Sequence, residues 1–456
     1  MLLPGIYFLI ALTTIAVSVR FGGRRLSPAV IYVTVWSLVI FVTTRPGRGY
    51  LPLGSLAWRL LFIALGGFLI ACLVVTALGR SQEDATREKA TLYDAERLRI
   101  AYRWALVGLL ASVSLEMSRI LPLVSQAGGL SGILGGQGLS FREAQNAAAA
   151  AASTTSLQGG SFVLAVLGYV VFVGYITLIW GGYYAAIGQW GKAVIPLLLL
   201  AVFSLVTLQR FAFVYSLIIF LFSLRYHRRL LGVGRRGSLR PLAVMAVLLV
   251  AVVFIPLQLR GQAVNGSQRY DSVVDYFAGG LAGLNTTFVE GVPAPGLVPG
   301  YGTYTFWGAA SIVARVGVPI DLPPNLLPYS SISQTRVVTG NVGTYMIYPY
   351  YDFGVVGVAV GALLLGALAT WLEGAVLIAR RVQLMPAACI VLTTVVMSFF
   401  GLSLVRDARW LFLLVAAVYL TRYVRVSPDQ LAPDTGPASS ARSSIPIPAR
   451  CMDSES

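Results

Sequence analysis

The sequence predicts an all-α polytopic membrane protein of about eleven transmembrane helices, with one large extracytoplasmic loop carrying short helices. Three observations carry that expectation. Hydrophobic residues make up 57% of the 456-residue chain and charged residues only 11%, with a mean hydropathy of +0.77. A water-soluble domain has more polar surface than this to present to solvent. The apolar residues also come in runs near the ~20 residues that a helix needs to cross the hydrocarbon core. Finally, basic clusters sit between alternate runs, as they do when short loops are retained on one side of a bilayer.

The runs follow in order. Leu2 to Val19 lacks a basic start and a small-residue cleavage site, and reads as a retained span. Ala29 to Thr44 and Leu56 to Leu78 are two further spans. The stretch from Arg80 to Arg103 alternates charge at helical spacing, which suits a solvated helix at the membrane surface. Trp104 to Val124 carries Glu116 and Arg119, which at i, i+3 spacing can pair with each other. Gly128 to Gly138 then leads to Ser140, Phe141, Arg142 and Glu143, a capping box that predicts a short outer helix continued by Ala147 to Ala152. Ser161 to Trp180, Val194 to Leu208, Phe211 to Leu224 and Pro241 to Leu259 supply four more spans. Phe353 to Leu372, Leu384 to Val405 and Trp410 to Val424 supply the last three. Residues 1–425 thus form the membrane domain. The tail, 426–456, is rich in Pro, Ser and Ala without apolar periodicity and is expected to be disordered.

Placing the amino terminus outside puts twenty-two of the thirty-four basic residues in inner loops and in the tail, with six arginines between Arg225 and Arg240 alone. The positive-inside bias therefore predicts an outward amino terminus and a cytoplasmic carboxyl terminus. It also accounts for the net charge of +16 without a nucleic-acid partner. The basic residues left outside are Arg45, Arg48, Arg59, Arg119, Arg142, Arg210, Arg260, Arg269, Arg315, Arg336, Arg406 and Arg409. Arg59 and Arg409, beside Trp58 and Trp410, read as interface anchors. Cys72 and Cys389 fall within spans and Cys451 in the tail, so no disulfide framework, thiolate metal site or other cofactor is expected.

The outer loop from Arg260 to Asp352 is where chemistry is expected. It opens with Arg260, Asn265, Arg269, Tyr270, Asp271 and Asp275; Asp271 can cap a short helix that ends near Gly279 or Gly280. Its middle carries an apolar run, Tyr304 to Val316, too short to span and suited to the membrane surface. It closes with Tyr345, Tyr348, Tyr350 and Tyr351 crowded against Asp352. Those tyrosines fit an aromatic belt at head-group level, or a surface that stacks on sugar rings and bonds their hydroxyls. Asp352 fits either a cap on the helix starting at Phe353 or a carboxylate base.

The layout of many spans with one long late outer loop, the Gln209-Arg210 step between two close spans, and the segment GNVGTYMIYPYYDFGVVG from Gly340 resemble the Wzy-type O-antigen and oligosaccharide repeat-unit polymerases. The resemblance implies transfer of a glycan from an undecaprenyl diphosphate carrier to a second lipid-linked repeat unit, at the outer face of the cytoplasmic membrane. It implies as partners that lipid-linked oligosaccharide, membrane lipid, a chain-length regulator and a flippase. Guanidinium groups grip phosphate oxygens bidentately and keep their charge, so Arg210, Arg260, Arg269 and Arg336 are the expected diphosphate clamps. Asp352 and Asp275 are the leading carboxylate bases, with Asp271, Glu290 and Glu143 behind them, and Tyr345, Tyr348 and Tyr351 are the expected sugar contacts. Two rivals stay open. A ligase similar to the O-antigen ligases would be expected to present an outward histidine, whereas the one histidine, His227, falls in the most basic inner loop. A flippase or exporter calls for ionisable residues along a path through the membrane, and most spans here carry none.

Overall fold

A computed structural model describes residues 2–22, 28–45, 50, 52–79, 92–126, 132, 144, 167–207, 210–233, 278–285, 302–315, 318–320, 322, 330–331, 339–340, 344–399 and 407–425. The described chain is almost wholly helical. Its helices are α1 (Leu2–Gly22), α2 (Pro28–Thr44), α3 (Ser55–Gly79), α4 (Ala95–Gln126), α5 (Ile176–Ala186), α6 (Trp190–Thr207) and α7 (Arg210–Leu230). After the large loop's short helix α8 (Trp307–Arg315) come α9 (Ile347–Leu377), α10 (Met385–Val396) and α11 (Ala408–Tyr423). Five helical stretches are long and apolar enough to cross a membrane: Ser55–Leu78, Ala95–Gln126, Leu167–Ala186, Ile347–Leu377 and Val382–Phe399. Leu3–Ser18, Pro28–Thr44 and Trp190–Val206 are shorter apolar helices. Ten of the eleven apolar runs fall on described helices, and Pro241 to Leu259 lies outside the described residues.

The centre of the bundle is α10, whose residues Met385 to Val395 are all buried. It packs against α2, α5, α7, α9 and α11. A helix buried in an apolar interior has no water for its hydroxyls, which must find partners within the protein. Thr393 donates to the Cys389 carbonyl (2.7 Å), and Thr394, donating to the Ile390 carbonyl, also meets the Tyr215 hydroxyl of α7 (3.1 Å). The most extensive helix pair is α3 with α9. Apolar side chains gain little by leaving lipid for another helix, so close backbone approach must supply the contact. A Cβ on Gly366 would lie 2.6 Å from the Phe68 carbonyl oxygen. Thr370 Oγ1 meets Cys72 Sγ at 3.1 Å across the same interface.

Hydrogen bonds sort the helix ends into two groups. At one end Asp94 caps α4, accepting from the amides of Glu96 and Arg97, while its own amide donates to the Val424 carbonyl. Beside it, Tyr93 meets His227 Nε2 (3.0 Å), and His227 Nδ1 donates to the Ser223 carbonyl (2.9 Å). Arg225 of α7 pairs with the buried Glu373 of α9 at that end. The opposite end gathers the α3 start, residues 278–285, the α9 start and Ser398. The two groups alternate along the chain as an antiparallel membrane bundle requires.

Several sequence expectations change here. The solvated helix expected over Arg80 to Arg103 is, where described, the first turns of α4, continuous with the fourth span. Glu116 pairs with Arg409 of the distant α11 (3.2 Å), while the side chain of Arg119, its expected partner, lies outside the described residues. The same Arg409, expected as a simple interface anchor, also makes a two-point contact with Asp407, and its guanidinium covers the Phe172 ring. Gly279 and Gly280 do not end a helix: residues 278–285 are helical and wholly buried. The loop further contains a two-stranded antiparallel pair, β1 (Ser330–Ser331) with β2 (Thr339–Gly340), which the all-helical reading omitted. The capping-box helix at Ser140 and the tail 426–456 lie outside the described residues, apart from position 144.

The α3–α9 contact makes a test. Gly366→Ala forces the Phe68 backbone away and is expected to cost about 1–3 kcal/mol, seen as a lower Tm in detergent. Gly374→Ala, where nothing lies within 4 Å, should leave Tm unchanged; equal Tm for both variants would contradict the close packing.

Candidate functional site

An early segment of the large loop, a middle one and its close all meet at one end of the bundle. Residues 278–285, AGGLAGLN, are small enough to enter between helices: a Cβ on Gly280 would meet the Phe399 carbonyl oxygen. Buried in that apolar segment, Asn285 needs partners for its amide. It accepts from the Gly54 amide (2.7 Å) and donates to the Pro52 carbonyl (3.1 Å), fixing the approach to α3.

The middle of the loop is held by Asp352. Its carboxylate accepts from the backbone amides of Thr305 (2.7 Å) and Tyr304 (3.2 Å), one at each oxygen. Those amides belong to the turn that precedes α8. The tie works because α9 is broken just beyond Asp352. Gly354 adopts φ 63, ψ −149, so the first helical residues bend away from the axis of the span. Asp352 therefore does not cap a helix starting at Phe353; it caps the turn before α8. Around it, the rings of Tyr304 and Tyr351 lie 5.5 Å apart at 38°. The Thr305 hydroxyl is buried there with no hydrogen-bond partner among the described residues. On α8 Ile312 and Val313 are exposed, as is Phe306 just before it, while Trp307 and Ser311 are buried, a division that suits the membrane surface.

The expected tyrosine set divides into two. Tyr351 stands beside Asp352. Tyr345 is buried (1% exposed): its hydroxyl meets that of Tyr32 (2.9 Å), and its ring lies edge-on to Tyr32 and Trp36. Its amide donates to the Ser398 carbonyl, and Trp36 Nε1 donates to the Ser398 hydroxyl. Burial pushes the Tyr345 hydroxyl well above its ordinary range, against a smaller opposing effect of the Tyr32 hydrogen bond, so it stays neutral. Tyr345 thus positions the loop's end, and its ring presents no open face to a sugar. Tyr348 is also mostly buried, at 6% exposure.

Arg260, Arg269, Arg336 and Asp275 lie outside the described residues, as do Asp271, Glu290 and Glu143. Arg210 is the first residue of α7. His227 is buried at the end of the bundle opposite Asp352. Among the described residues, no three His, Cys, Asp or Glu side chains come together as a metal would require. The residues that the sequence reading missed are Asn285, Thr305 and Ser398. Of these only Asn285 left a signal, as a lone amide closing an Ala-Gly-Leu run. No family model, curated protein or solved structure matches the chain.

Asp352→Ala orphans two buried amides, at about 1–3 kcal/mol each. The turn at 302–306 should become sensitive to limited proteolysis while the helical circular dichroism of the bundle is retained. An unchanged digestion pattern would contradict the tie.

Proposed function

We propose that this protein polymerises undecaprenyl-diphosphate-linked oligosaccharide repeat units at the outer face of the cytoplasmic membrane, in the synthesis of a bacterial surface polysaccharide. In this reading the chain crosses the membrane eleven times, with an outward amino terminus and a cytoplasmic carboxyl terminus, and the end bearing Asp352 faces outward. The observation that carries the reading is the return of the long Arg- and Tyr-rich loop to a single end of the bundle. Asn285, Asp352 and Tyr345 anchor it there at its early, middle and final parts. Segments anchored at three points along the loop hold those parts of it at that end, which positioning two lipid-linked substrates needs.

The chemistry follows from the substrates. The hydroxyl of the acceptor sugar attacks the anomeric carbon of the donor glycan. The carbon–oxygen bond to the diphosphate breaks, and the lipid diphosphate leaves with that electron pair. Arg210, Arg260, Arg269 and Arg336 are assigned to the negative charge that grows on the leaving group. A carboxylate takes the acceptor's proton, and Asp352 and Asp275 are the residues assigned to it. Asp352 accepts from the Thr305 and Tyr304 amides, which fixes its place. Tyr351, which is only partly buried, is assigned to the sugars. The energy comes from breaking the bond between the donor sugar and its diphosphate, so no nucleotide is required.

Single variants separate the roles. Arg336→Ala or Arg260→Ala should leave the protein in the membrane but yield carriers bearing single repeat units, read as the loss of a polymer ladder on gels. Full-length polymer from both variants would refute the clamp assignment.

A further inference from the structure

The two-ended bundle carries a second lipid-facing feature, at the end opposite Asp352. Between α9, α10 and α11 lies a groove of about 350 Å³. Its wall includes Leu368, Trp371, Leu384, Ala387, Leu414 and Val418, and none of its lining residues is charged. These positions fall in the last turns of α9, in the turn before α10 and its first turn, and in the middle turns of α11. The groove therefore occupies the half of the bundle nearest the 378–384 turn, and it opens to lipid where Trp371 and Val415 are exposed.

The mouth of the groove is cationic. Arg422 lies one helical turn beyond Val418, and seven beyond Val415, so it continues the stripe that lines the groove. Arg425 follows and donates to the Gln383 side chain (3.3 Å), which places it beside Leu384 at the α10 entrance. Arg381 is exposed in the same turn. An apolar slot at membrane depth with three arginines at its lip matches a chain joined to a phosphate.

We propose that this groove is a binding site for an anionic glycerophospholipid of the inner leaflet. One acyl chain lies along Ala387, Leu414 and Val418, and the phosphate is held by Arg381, Arg422 and Arg425. The site requires the inward orientation of this end but not the polymerase activity, so the two can fail separately. Its physical role is to pin α11 against the α9–α10 turn from the lipid side.

The test is native mass spectrometry of the detergent-purified protein with added phosphatidylglycerol, phosphatidylcholine or inorganic phosphate. Phosphatidylglycerol should be retained in preference to phosphatidylcholine, with inorganic phosphate failing to displace it. Neutralising Arg381, Arg422 and Arg425 to Gln should lower that preference by about fivefold per arginine. Val415→Trp, at an exposed position, should reduce retention of both lipids by filling the groove. Equal retention of the two lipids by the unaltered protein, or an unchanged preference in the triple variant, would overturn the proposal. Full displacement by inorganic phosphate would reassign the arginines to a free anion and overturn it as well.

Discussion

Within a bilayer core a backbone amide or carbonyl has no water to bond, and an apolar side chain gains nothing by leaving lipid for a neighbouring helix. The described architecture follows from that pair of constraints. Helices satisfy their own backbones. They associate where small residues let main chains meet, as at Gly366 against Phe68, or where a few polar groups find partners across an interface, as Tyr215 does with Thr394. The fully buried α10 is the extreme case, with its threonine hydroxyls turned onto carbonyls one turn earlier.

The same constraint explains how the long loop is held. Any part of it that enters the bundle must be helical and narrow, which is what AGGLAGLN provides, and its one amide side chain must be satisfied, which Pro52 and Gly54 do. Non-helical backbone at that end needs an acceptor from elsewhere, and Asp352 supplies one for Tyr304 and Thr305. A carboxylate used this way immobilises the turn before α8. The groups that shape the surface at that end are thus the groups that satisfy the loop's backbone, and a function placed on this loop inherits its geometry from them.

Much of the scaffold was legible from hydropathy alone, because a spanning helix must advertise itself as an apolar run. Partner choice was not. Glu116 reads as a neighbour of Arg119, yet Arg409 reaches it from α11, since local spacing says nothing about which helix packs alongside. Glu373 fell just past a predicted span end, so its buried contact with Arg225 went unseen. Gly280 looked like a helix stop because glycine usually is one; here it serves close approach to Phe399. The break at Gly354 was hidden for the opposite reason, as one glycine among several in an apolar run. The tyrosines show the limit most clearly: Tyr345 and Tyr351 are equivalent in composition, yet one belongs to the core and the other to the neighbourhood of Asp352.

The central claim is that the end of the bundle organised by Asp352 faces away from the cytosol. Its most direct test is cysteine labelling in intact cells with a membrane-impermeant maleimide. Cys72 and Cys389 are buried and should stay silent. Phe306→Cys, at an exposed position beside the Asp352 tie, should react from outside without permeabilisation, whereas Val233→Cys and the native Cys451 should react only after the cells are opened. Labelling of Phe306→Cys confined to opened cells would contradict the account.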